Sequence, residues 1–73
     1  MKNSNPIKIS LAAARVNAGM TQEEVAKIMH VGKQTVCNWE KGATEPKISQ
    51  GEQLSKLFNI PYDMIIFMPS KSN

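Results

Sequence analysis

One cysteine, one histidine and four aromatic residues are all that the 73-residue chain holds of these types. A single cysteine closes no intrachain disulfide, and a secreted domain of this size would usually need several, so cytoplasmic residence is expected. One Cys with one His also falls short of a metal-ligand set, and no metal or other cofactor is expected. The longest apolar run, Met64 to Met68, is far below the ~20 residues of a membrane span. The opening stretch MKNSNPIKIS has no continuous apolar core of the signal-peptide kind. No membrane partner follows from either segment. Period-two runs rich in Val, Thr and aromatics are absent too, apart from a few residues near Ile7 and Ile9, which argues against a β domain.

What is present suits one small domain spanning 1–73. The chain is 41% hydrophobic and 21% charged, ordinary for a globular protein. Ordering it costs on the order of 100 kcal/mol, so nearly all large apolar side chains must be buried together. That leaves little room for an enclosed cleft, and neither catalysis nor a small-molecule substrate is expected. The formal net charge of +3 favours an anionic partner. Residues 1–22 carry Lys2, Lys8 and Arg15 with no acid, whereas later acids and bases nearly balance.

Four candidate helix stops, Gly19, His30, Gly42 and Asn59, divide the chain evenly. All are residue types that tolerate the left-handed conformation after a helix. Five short helices are therefore expected, in an all-α bundle. The first should open at Asn5 as cap with Pro6 at the first helical position, placing Ile7, Leu11, Ala14 and Ala18 on one face. The second has a capping box, Thr21 with Glu24, and a hydrophobic staple from Met20 to Val25. Val25, Ile28 and Met29 should face the core, beside the small Ala26. A fourth helix should follow Pro46, capped by Ser49 and Glu52, with Leu54, Leu57 and Phe58 inward. Gly51 within it costs roughly 1 kcal/mol relative to Ala. A fifth should run from about Pro61 to Phe67, with residues 69–73 a frayed tail.

The third segment, GKQTVCNWEKG, is the most informative. Val36 and Trp39 are three apart and point inward, which leaves Lys33, Gln34, Asn38 and Lys41 outside. That outer face carries no acid and consists of side chains that hydrogen-bond base edges and phosphates. His30, Val31 and Gly32 form a connection so short that the second and third helices must cross steeply. This is helix-turn-helix geometry over about residues 21–41.

The chain resembles the phage repressor and Cro family of helix-turn-helix proteins, the XRE type, from about Ile7 to Phe67. The resemblance rests on MTQEEVAKIM, on TVCNWEKG with its W-E-x-G ending at Gly42, on Pro46 and Ile48, and on LFNIPYDMI. Three positions depart from the family pattern: His30 replaces a usual Gly, Gly51 a usual apolar residue, and Pro61 a common Ser cap. The resemblance implies a lambda-repressor-like DNA-binding domain. By it, Gln22 resembles a glutamine that anchors on a phosphate and reaches the outermost base, with Thr21 beside it near the backbone. Lys33, Gln34 and Asn38 occupy positions that resemble base readers. Thr35 and Lys41 would lie along phosphates, with backbone N–H groups between Ala43 and Ile48. Arg15 and Glu40 match a pair that links the first helix to the third.

Plainer roles account for the other chemically suggestive residues. Trp39, three after Val36, suits the core better than a base stack. Cys37 suits a partly buried inert thiol. No nucleophile or carboxylate is placed for His30 to act as a general base, so it reads as a helix-ending residue. Glu23 and Glu24 sit in a first helical turn, where the macrodipole favours acids. Met20 and Met29 fall at core spacing. Met64 to Met68 cannot all be buried by one helix face, so part of that run should be exposed or covered by a partner.

The expected function is sequence-specific binding of double-stranded DNA in the major groove, regulating transcription as a repressor- or Cro-like homodimer on a pseudo-palindromic operator. The fifth helix, through Ile66 or Phe67, is the expected dimer contact. The alternative is a protein-interaction module, of antitoxin or antirepressor type, using the Met64 to Met68 surface.

Overall fold

The computed structural model describes residues 8–67. Its elements run β1 (Ile9–Ser10), α1 (Leu11–Asn17), α2 (Gln22–Met29), α3 (Lys33–Lys41), α4 (Ile48–Phe58), a 3-10 turn (Tyr62–Met64) and β2 (Ile65–Ile66). The fold is a helix-turn-helix bundle of four α-helices among the described residues, not five.

The first helix begins later than the Asn5–Pro6 signal suggests. Ser10 is its cap, and its hydroxyl accepts the Ala13 N–H at 3.1 Å. Asn5, Pro6 and Ile7 lie outside the described residues, as does the expected tail at 69–73. Leu11 and Ala14 are buried as expected, but α1 ends at Asn17 and leaves Ala18 exposed. Gly19, at φ 73°, follows in the left-handed region.

The second correction is at the other end of the chain. Pro61 is followed by a single 3-10 turn, after which Ile65 and Ile66 are extended and pair in parallel with Ile9 and Ser10. β-Branched side chains favour this geometry. It also resolves the crowding of apolar residues that a helix could not bury. Ile65 is only 5% exposed, while Met64, Ile66 and Phe67 are half-buried against the domain. The short ladder ties the two ends of the described chain beneath one core, made of Leu11, Ala14, Val25, Ala26, Met29, Val36, Trp39, Leu54, Phe58 and Ile65. Ile28, expected inward, is 42% exposed.

The α4 cap also differs. Ser49 and Glu52 lie inside the helix, and the Lys47 N–H donates instead to Gln50 Oε1 at 2.8 Å. Gly51 is buried in α4 for a packing reason: a Cβ there would stand 2.7 Å from Cε2 of Tyr62. The Tyr62 ring in turn leans on Phe67, with centroids 4.9 Å apart.

Candidate nucleic-acid interface

The start of α2 is fixed by short-range chemistry. Thr21 Oγ1 accepts the Glu24 N–H at 3.0 Å, and Glu24 Oε1 accepts the Thr21 N–H at 2.8 Å. This capping box satisfies two donors that a helix start leaves orphaned. Val25 and Met29 are buried and Met20 is half-buried against the same core. The helix stops at His30, whose backbone is left-handed at φ 59° and ψ 43°. The Val31 N–H reaches back to the Ala26 carbonyl at 3.0 Å, closing the turn. Gly32, extended at φ −79°, then caps α3.

Only three residues therefore separate α2 from α3. Val36 and Trp39 are sunk into the core, and Gly42 ends α3 in the left-handed region at φ 80°. With those two inward, Lys33, Gln34 and Lys41 are exposed, and Thr35 and Asn38 are half-buried. Gln34, Asn38 and Lys41 fall at i, i+4 and i+7, forming one stripe along the helix, with Lys33 beside it. Gln34 Nε2 donates to Asn38 Oδ1 at 3.0 Å, so these two side chains are already joined. Cys37 is half-buried and free.

The one acid of α3, Glu40, is withdrawn from this face. Its side chain is 7% exposed and is met by Arg15, with Nε 2.6 Å from Oε2 and Nη2 3.4 Å from Oε1. Arg15 Nη1 donates to the Met20 carbonyl at 2.8 Å. The guanidinium thus neutralises Glu40 and pins the α1–α2 turn to α3.

Thr21 is exposed and Gln22 half-buried at the start of α2. Gln22 is less free than its sequence suggests: its Nε2 donates to Glu40 Oε1 at 2.9 Å. No local signal links these residues, which lie on different helices. In the loop after α3, the Ala43 and Thr44 N–H groups go to the Asn38 carbonyl at 2.9 and 3.4 Å, and that of Lys47 goes to Gln50. Pro46 has no N–H. Most of the loop donors expected to meet phosphates are therefore used within the fold. No helix among the described residues is long and apolar enough to cross a membrane, and no group of His, Cys, Asp or Glu among them is arranged to hold a metal.

Comparison with known proteins agrees with this geometry. A family model described as helix-turn-helix matches residues 11–65. The cryptic phage CTXphi transcriptional repressor RstR of Vibrio cholerae is 43% identical over 47 residues, which cover 64% of this chain and 42% of that protein. The HTH-type transcriptional regulator ImmR of Bacillus subtilis is 32% identical over 56 residues, 77% of this chain and 44% of its own length. An uncharacterized HTH-type transcriptional regulator of Archaeoglobus fulgidus is 37% identical over 54 residues, 73% of this chain and 77% of its own. The chain thus spans less than half the length of the first two. No solved structure matches it.

Proposed function

The chain belongs to the XRE-type helix-turn-helix family, and we propose that residues 1–73 act as one DNA-binding domain that regulates transcription by reading a duplex through the major groove. One observation carries this reading: the outward face of α3 bears the stripe of Gln34, Asn38 and Lys41 with Lys33 beside it, while the single acid of that helix is turned inward and its charge is offset by Arg15. A polyanion meets cations and amides there and no opposing charge.

In the groove, Gln34 and Asn38 offer the bidentate fit to adenine N6 and N7, and Lys33 suits guanine O6 and N7. Lys41 and Thr35 lie along phosphates, with Thr21 and Gln22 on the backbone at the edge of the site. Phosphate contacts set register and base contacts set sequence. A lone helix-turn-helix reads too few base pairs for a useful genomic specificity ratio, so a homodimer binds a pseudo-palindromic operator, acting in the cytoplasm as a Cro- or repressor-like regulator. No cofactor, membrane, small-molecule substrate or catalytic step enters it.

The competing protein-interaction module needs Met64 to Met68 as an exposed surface. Among the described residues of that run, Ile65 is buried and Phe67 packs on Tyr62 and against the core, so this part of it is largely used internally; Met68 lies outside the described residues. The same burial removes the motive for a dimer contact through a fifth helix at Ile66 and Phe67. The large apolar side chains left outside among the described residues are Val16, Ile28, Ile48 and Tyr62.

Selection from a randomised duplex pool, followed by isotherms on the selected and an unrelated duplex at several salt concentrations, tests the function. Alanine at Gln34 or Asn38 should relax preference at one or two base pairs, by roughly 1 to 3 kcal/mol each. Neutralising Lys41 should weaken all sequences alike and lower the salt slope by about one unit. Duplex binding that is absent or insensitive to salt would refute the reading.

A further inference from the structure

Glu40 has more partners than its ion pair requires. A guanidinium can satisfy a carboxylate with two parallel hydrogen bonds, one to each oxygen. Here that fork is skewed: Arg15 Nε lies 2.6 Å from Oε2, whereas Nη2 lies 3.4 Å from Oε1. The weakly held oxygen is the one that Gln22 Nε2 meets at 2.9 Å. Arg15 turns its remaining nitrogen, Nη1, to the carbonyl of Met20, two residues before Gln22. One buried carboxylate and its counter-ion therefore hold both the backbone leading into α2 and the side chain of its first residue.

The consequence for Gln22 is chemical as well as geometric. A carboxylate only accepts hydrogen bonds, so it selects the NH2 end of the amide and dictates its sense. One N–H is spent on Glu40. The second N–H and the carbonyl oxygen remain, on a side chain whose rotamer freedom, normally lost on binding, is already restricted in the free protein. A phosphate oxygen also only accepts, so the second N–H is the group left to meet it.

We propose that Glu40 is a positioning residue for DNA binding: through its bond to Gln22 Nε2 it presets the glutamine amide toward the DNA backbone, a role separate from its pairing with Arg15. The assignment rests on the DNA-binding reading above. It requires that the energetic effect of Gln22 on DNA depend on Glu40.

The experiment removes both charges together, because a buried ion pair replaced by apolar residues of similar volume often leaves a fold intact. Arg15→Met with Glu40→Leu is made in the wild-type and Gln22→Ala backgrounds, and affinity for the selected duplex is measured beside thermal unfolding by circular dichroism. Gln22→Ala alone should weaken binding by about two- to tenfold, the worth of one hydrogen bond. The Met/Leu pair should lose the same factor while staying folded, and adding Gln22→Ala to it should change affinity less than twofold. The salt slope should hold throughout, because Gln22 is neutral and the pair removed carries no net charge. If the Met/Leu pair binds like wild type and Gln22→Ala costs the same in both backgrounds, Glu40 serves folding alone and the proposal is overturned.

A measurement on the free wild-type protein covers the case in which the Met/Leu pair does not fold. In the NMR spectrum, one Gln22 side-chain N–H proton should be shifted downfield and protected, unlike those of the exposed Gln53. A Gln22 amide indistinguishable from that of Gln53 overturns the proposal while leaving DNA binding standing. Wild type without salt-dependent duplex binding removes both.

Discussion

Replacing Gly51 by alanine sets two calculable effects against each other. The position is interior to α4 and its backbone is helical, so helix propensity alone favours Ala by about 1 kcal/mol. The tertiary environment opposes it. A Cβ would stand 2.7 Å from Tyr62 Cε2, against an ordinary carbon contact of about 3.5 to 4.0 Å. The other neighbours, Tyr62 Cζ and Phe67 Cζ, are at an acceptable 3.4 Å. Tyr62 must therefore retreat by roughly 1 Å, loosening a ring contact with Phe67 of the kind worth about 0.5 to 1.5 kcal/mol. Overpacking of this kind typically costs about 1 to 3 kcal/mol, so the net expectation is a loss of about 1 kcal/mol. In a domain this small that lowers Tm by about 4–8 °C. In a Tyr62→Ala background the obstacle is gone, and the same substitution should raise Tm by a similar amount. The sign reversal, a coupling of about 2 kcal/mol, is read by thermal or urea unfolding of the four proteins in the cycle. Equal stabilisation by Gly51→Ala in both backgrounds would show that Tyr62 does not sit over Gly51.

Three further expectations concern stability. His30→Gly should stabilise by up to ~1 kcal/mol, since glycine relieves the Cβ strain at φ 59°, and a clear drop in Tm would contradict the left-handed turn. Removing either Arg15 or Glu40 alone should cost about 3 kcal/mol, because the surviving charge is left in a site 16% or 7% exposed; a double-mutant cycle without coupling would deny the contact. Ile28→Ala should cost under ~1 kcal/mol while Met29→Ala costs about 2 kcal/mol or more, and equal losses in urea unfolding would place both side chains in the core.

The parts of this protein that were legible beforehand are those governed by interactions within about four residues. Thr21 and Glu24 announce the start of α2, His30 and Gly42 its end and that of α3, and Val36 with Trp39 settles which face of α3 is left for a ligand. These are hydrogen bonds within one turn, single-residue backbone preferences and helical periodicity, all of which the local chain carries with it. The matched Arg15 and Glu40 were legible only by resemblance, because nothing in their spacing brings two helices together. Tertiary structure alone decided the rest. Ile65 and Ile66 could extend a helix or form a strand, and the choice fell to the strand because Ile9 and Ser10, from the opposite end of the described chain, offer a ladder and a core that covers Ile65. The same pairing pulled the start of α1 to Ser10. Gly51 reads as a weakness until the Tyr62 ring is placed over it, and Gln22 as a free surface amide until Glu40 is placed beside it. Each depends on a partner distant in sequence, whose arrival is set by the burial of the whole core rather than by any preference of the residues themselves.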